Sequence, residues 1–182
     1  MNVIQTGIKD LVVLEPKVFG DHRGYFMSPY IEEQFNELVG KTHFVQDNES
    51  MSSRGVLRGL HFQVPPFEQA KLVRVIKGAV IDVAVDLRKD SPDYGKHFSI
   101  LLSGDNKKQL FVPRGFAHGF VVLEDETIFS YKVDNTYAPT YESGIIWNDP
   151  DLLIDWQLDN LIPVLSDKDR ELQSFKSFKS PF

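Results

Sequence analysis

Cysteine is absent from all 182 residues. That excludes a disulfide framework, a thiolate zinc site and a cysteine nucleophile. Long hydrophobic runs are absent too. No apolar stretch approaches the ~18 residues of a membrane span, and Met1–Thr6 carry no basic region followed by an apolar one. Neither a membrane partner nor a secretory leader is expected, and the expected location is cytoplasmic. A block of one charge is also missing. The 26 acidic and 20 basic residues leave a net charge of −6 but are interleaved, without the basic stripe of a nucleic-acid binder, so no nucleic-acid partner is expected. A few cations lining one cleft can still draw a small anion, because at short range they outweigh the global sign.

Helix signals are scarce. One helix is expected over Ile31–Val39, ending at Gly40, and another near Asp167–Phe175 with Ser166 as N-cap. No repeat, low-complexity linker or break in composition divides the chain, so residues 1–182 are expected to form a single domain, with Lys176–Phe182 frayed.

Aromatic residues are plentiful: 14 Phe, 6 Tyr and 2 Trp supply the bulk that one closed sheet needs to fill its interior. Short apolar runs recur between turn residues at Leu11–Leu14, Gly24–Tyr30, Phe44–Gln46, Val56–Phe62, Leu72–Ile76, Ala79–Leu87, Phe98–Leu102, Leu110–Val112, Phe116–Leu123 and Thr127–Val133. Many short strands broken by Gly, Pro and Asn or Asp imply an all-β sandwich, jelly roll or barrel. The clearest strand carries Ile81, Val83, Val85 and Leu87 on one face, with Asp82, Ala84, Asp86 and Arg88 on the other.

Three groups of residues carry chemical potential. His61 sits in an apolar run, Arg58-Gly-Leu-His-Phe-Gln63; such a histidine is more often a hydrogen-bonded core residue than a base, so the run alone decides nothing. His118 follows a Pro113-Arg-Gly-Phe-Ala-His turn that resembles the second motif of the cupin superfamily. Metal-binding cupins add two His and a carboxylate from an earlier strand pair, where this chain offers only His61, and two imidazoles fall short of the usual three-ligand set, so no metal is expected. Finally, Lys71, Tyr131 and His118 share strand parity with apolar neighbours, which places them either on one lined face of a barrel or, for Lys71 and Tyr131, toward solvent.

Taken in order, Pro16–Asp21 with Arg23-Gly24, Phe44–Asn48, Val56–Gln63, Lys71–Arg74, Asp82–Arg88, Phe116–Phe120, Tyr131-Lys132, Ile146–Asp149 and Leu165–Asp169 resemble the dTDP-4-dehydrorhamnose 3,5-epimerase family over nearly the whole chain. The resemblance implies a cupin-type double-stranded jelly-roll barrel with a few short peripheral helices. It implies a cofactor-independent conversion of dTDP-4-dehydro-6-deoxy-D-glucose to dTDP-4-dehydro-L-rhamnose by proton removal and return beside the 4-keto group. It makes His61 the base, Asp169 the carboxylate that orients it, Tyr131 the acid on the opposite side and Lys71 the cation near the keto oxygen. Arg58 and Arg23 match diphosphate ligands, Tyr137 the aromatic that stacks on thymine with Phe19 nearby, and Gln46, Asn48, His118, Glu142 and Lys168 further ligand contacts. It also implies a homodimer whose amino-terminal strand crosses to the partner, so that Arg23 serves the neighbouring site.

One departure stands out. The family pattern continues Arg-Gly-aromatic-aromatic-x-Glu, whereas Arg23-Gly24-Tyr25-Phe26-Met27 leads here to Ser28, with Glu32 or Glu33 as possible substitutes. This leaves open a 3- or 5-monoepimerase or a keto-isomerase on a related nucleotide sugar. From other classes, a non-catalytic sugar-binding jelly roll and a metal-dependent cupin oxygenase compete.

Overall fold

The apolar runs, with a few polar segments beside them, become thirteen strands in the computed structural model, which describes residues 1–182. They are β1 (Asn2–Gln5), β2 (Val12–Glu15), β3 (Val18–Asp21), β4 (Gly24–Met27), β5 (Gln46–Ser52), β6 (Leu57–Gln63), β7 (Lys71–Lys77), β8 (Ala79–Asp86), β9 (His97–Ser103), β10 (Gln109–Val112), β11 (Phe116–Val122), β12 (Thr127–Val133) and β13 (Glu142–Gly144). Two short helices accompany them, α1 (Glu32–Leu38) and α2 (Asp167–Arg170). No helix is long and apolar enough to cross a membrane.

The strands form a six-stranded sheet, β1-β2-β10-β7-β12-β5, and a five-stranded sheet, β13-β6-β11-β8-β9, with β3 and β4 as a separate hairpin. This is the expected cupin-type jelly roll. Its interior is filled from both sheets: Val73, Val75, Leu110 and Phe129 meet Val80, Ala84, Phe120 and Val122. Phe120 stacks on Phe129 at 4.1 Å between centroids. Enclosing each such ring contributes on the order of 2 kcal/mol. Outside the five-stranded sheet, Ile81, Val83, Val85 and Leu87 pack under the carboxy-terminal segment through Ile145, Leu152, Trp156 and Phe178. Outside the six-stranded sheet, Val12, Leu14, Leu72 and Phe111 pack under Phe35 of α1.

These layers explain where the sequence patterns mislead. β8 has no solvent face, because its even residues point into the barrel and its odd ones under the carboxy-terminal cover; all eight are buried. Asp86 is held there by Arg88 and Ser91. The tail does not fray: Phe178 and Phe182 edge onto Phe62 at 5.2 and 5.8 Å. α2 stops at Arg170, well short of Phe175, because Gln173 is drawn out to pair with Ile145 and its carbonyl accepts from Ile146 N. β5 is a seven-residue strand where only Phe44–Gln46 was expected. Its inward residues Gln46, Asn48, Ser50 and Ser52 face a polar opening and lack the apolar alternation that marks a core strand.

Candidate active site

A local irregularity in β6 shapes the site. Between β6 and β11, His61 pairs with His118 and Arg58 with Phe120, so three steps on β6 span two on β11. Residues 58 and 61 would point to opposite faces of a regular strand; the extra residue turns both toward the cavity. The bulge needs glycine on both sides. A Cβ on Gly59, which has φ +125°, would lie 2.6 Å from Gly119 Cα, and one on Gly119 would lie 2.7 Å from the Arg58 carbonyl.

The cavity, about 480 Å³, opens between the two sheets. Arg58 and His61 enter from β6, Lys71 from β7, His118 from β11, Tyr131 from β12, Glu142 from β13, and Lys168 and Asp169 from α2. Phe120 and Phe129 form its apolar floor. Lys71 and Tyr131 thus face inward. No group of three or more His, Asp or Glu side chains converges as a metal site.

His61 Nε2 lies 2.6 Å from Asp169 Oδ1, with the oxygen to one side of the ring N–H direction. Asp169 is buried, and Ser166 Oγ donates to its Oδ2 at 2.6 Å while Gly59 N donates to its Oδ1 at 3.4 Å. Burial pushes the Asp169 carboxyl up, but His61 and Ser166 outweigh that and hold it below the ordinary range. Ser166 is a group the sequence reading used only as a helix cap; its spacing three residues before Asp169 was the signal that it also clamps the carboxylate.

On the opposite sheet, burial raises the Tyr131 phenol, with Glu142 adding and Arg58 opposing, so the hydroxyl keeps its proton at neutral pH. Burial lowers Lys71 to about 8 against the pull of Asp82 and Glu142, leaving an ammonium that is mostly charged at pH 7. Across the mouth, Glu142 accepts from Tyr137 Oη at 2.6 Å and meets Lys168 Nζ at 2.5 Å. Burial alone would raise the Glu142 carboxyl; Lys168 and Tyr137 hold it lowered instead. Such a cavity can strip a proton from carbon on one side, hold the resulting anion beside a cation and return a proton from the other side.

Relatives with this architecture are known. A family model described as dTDP-4-dehydrorhamnose 3,5-epimerase matches residues 5–177. The chain is 54% identical over 176 residues to the Shigella flexneri protein named dTDP-4-dehydrorhamnose 3,5-epimerase, covering 96% of each. It belongs to the dTDP-4-dehydrorhamnose 3,5-epimerase family. It is therefore an epimerase, an isomerase-class enzyme. Among solved structures, the Elizabethkingia anophelis NUHP1 enzyme of the same name superposes with TM-score 0.93 at 51% identity, covering 97% of each chain. The Legionella pneumophila Philadelphia 1 enzyme, determined in complex with dTDP-4-keto-L-rhamnose, gives TM-score 0.94 at 45% identity, covering 98% of this chain and 94% of that one.

In this epimerase-family chain, some residues named from the sequence stay outside the cavity. Gln46 Nε2 donates to Asn48 Oδ1 at 2.7 Å on β5, next to the opening, where Asn48 pairs with Tyr131. Tyr137 is exposed at the rim. Phe19 and Arg23 lie on the β3–β4 hairpin and do not line the cavity. Arg23 there is exposed and paired with Asp21. Glu32 and Glu33 sit exposed on α1 and do not line the cavity, and Glu32 faces His43 at 3.3 Å.

Proposed function

We propose that the chain converts dTDP-4-dehydro-6-deoxy-D-glucose to dTDP-4-dehydro-L-rhamnose, inverting carbons 3 and 5 beside the 4-keto group. The observation that carries this reading is the placement of the His61–Asp169 pair and Tyr131 on opposite sheets of one cavity, with Lys71 beside Tyr131's strand. His61 has its Nε2 engaged by Asp169, so Nδ1 is the ring nitrogen that takes the proton from carbon, and Asp169 stabilises the imidazolium. The Lys71 ammonium holds the charge that develops on the keto oxygen. Tyr131 delivers a proton to the far face. Inversion requires two groups on two sides, because one base returning its proton to the same face restores the substrate. No step requires a cofactor or a metal.

Arg58 and Lys168 at the mouth suit a diphosphate, and Tyr137 a thymine face, with His118, Glu142, Gln46 and Asn48 completing the sugar and nucleotide contacts. Phe19 and Arg23 are exposed on a hairpin that contributes nothing to the lining of its own cavity, which supports a homodimer in which the hairpin completes the partner's site. The 182 residues act as one domain, and a cysteine-free chain using a nucleotide sugar fits the cytoplasm.

Proton NMR of the turnover mixture in heavy water tests the assignment. Deuterium enters both carbon 3 and carbon 5 of the product. Incorporation at one carbon identifies a monoepimerase, a relocated ketone identifies an isomerase, and binding without turnover leaves a sugar-binding protein.

A further inference from the structure

Behind the cavity lies a carboxylate that takes no part in these proton transfers. Asp82, in the middle of β8, is fully enclosed and shares the inward face with Val80 and Ala84. β11 runs alongside, pairing Phe120 with Asp82 and His118 with Ala84, and His118 Nε2 lies 3.0 Å from each Asp82 oxygen. An ionised carboxylate only accepts, so the ring proton is on Nε2, and the tautomer and tilt of His118 are set. A lone anion inside an apolar barrel is strongly disfavoured unless a counter-charge faces it. Lys71, which lines the cavity from the facing sheet, feels the Asp82 charge and supplies one.

We propose that Asp82 is a positioning residue, a buried counter-charge that orients His118 and keeps Lys71 an ammonium opposite the developing enolate. The inference rests on the epimerase reading. Burial brings Lys71 down to about 8 even with Asp82 and Glu142 opposing it. The other titratable groups around the cavity are Arg58 and His61 on β6, Tyr131 on β12, and Lys168 and Asp169 on α2. Without the Asp82 charge, Glu142 alone resists the desolvation, and its carboxylate is already neutralised by Lys168 at 2.5 Å. Lys71 then loses its proton at a pH lower by about one unit or more.

Asp82→Asn keeps the shape and removes the charge. In the full-length enzyme, the alkaline limb of kcat/KM moves down by about one pH unit, which cuts the rate near pH 8 about five-fold and the rate near pH 6 much less. A loss of equal size at every pH overturns the proposal, because a merely loosened barrel does not shift a limb. The side-chain ¹³C signal of Lys71, followed against pH in labelled protein without substrate, moves in parallel; an unshifted titration also overturns it. That signal does not depend on turnover, so an inactive wild-type chain refutes the epimerase reading and leaves this test standing. Should Asp82→Asn not fold, Asp82→Ser, which is smaller and admits a water, takes its place. Failure of both to fold assigns Asp82 to structure alone and overturns the proposal.

Discussion

Replacing Tyr131 with Phe separates proton removal from proton return. The ring stays in place, since Phe129 and the barrel core hold it through apolar contacts, with Phe129 at 6.0 Å between centroids. Only the hydroxyl is lost, so unfolding free energy should stay within about 1 kcal/mol of the wild type. The chemical effect is much larger. A positioned acid contributes ~10² to 10⁴ in rate, or about 2.7–5.5 kcal/mol of barrier, and the raised Tyr131 phenol carries its proton throughout the neutral range. His61, Asp169 and Lys71 remain, so the enolate still forms. In heavy water the proton held by His61 exchanges with solvent, and deuterium returns to the face it left. Tyr131→Phe should therefore wash deuterium into unreacted substrate while inverted product falls at least 100-fold, about 2.7 kcal/mol. His61→Asn should abolish both. Exchange and inversion falling together in Tyr131→Phe would refute the two-sided assignment.

Three further outcomes follow from particular contacts. Gly59→Ala drives a methyl to 2.6 Å from Gly119 Cα and 2.9 Å from the His118 carbonyl, at a φ that L residues avoid; urea unfolding should show a loss of about 3 kcal/mol or more, or no folded protein. The Asp169 carboxyl is held below its unfolded value. Its contribution to stability is therefore present above the ordinary carboxylate range near 3.8 and is lost as pH falls through the lower folded value. Thermal melts should accordingly show a shallower acid-side loss for Asp169→Asn than for the wild type. Arg23→Ala, at an exposed hairpin tip, should leave Tm unchanged and raise KM about ten-fold; an unchanged KM, or a monomer by sedimentation, counts against hairpin exchange.

Local chemistry is legible in this chain wherever one strand face meets one environment. Strand parity grouped Lys71, His118 and Tyr131 with apolar neighbours but left Lys71 and Tyr131 open between a cavity and solvent; the closed barrel turns all three into the cavity. β5 was largely invisible because its inward face looks into a polar opening, so no apolar period marks it. The two faces of β8 were legible but not their surroundings: Asp82 and Asp86 are enclosed, since partners from β11 and the following loop reach them. The fate of the tail depended on Phe62, more than a hundred residues earlier, offering an edge to Phe178 and Phe182.

Composition and pattern by themselves determined the all-β class, the absence of thiol chemistry and the residue types available for moving protons, because these depend on side-chain identity and a period of two along a strand. Which of those residues meet was decided only by the tertiary structure. His61 and Asp169 are separated by more than half the chain's length, and Arg58 and His61 have opposite strand parity. Closing two sheets over one another, with a glycine-lined bulge in β6 and the carboxy-terminal segment folded back across it, is what turns all of them toward one cavity.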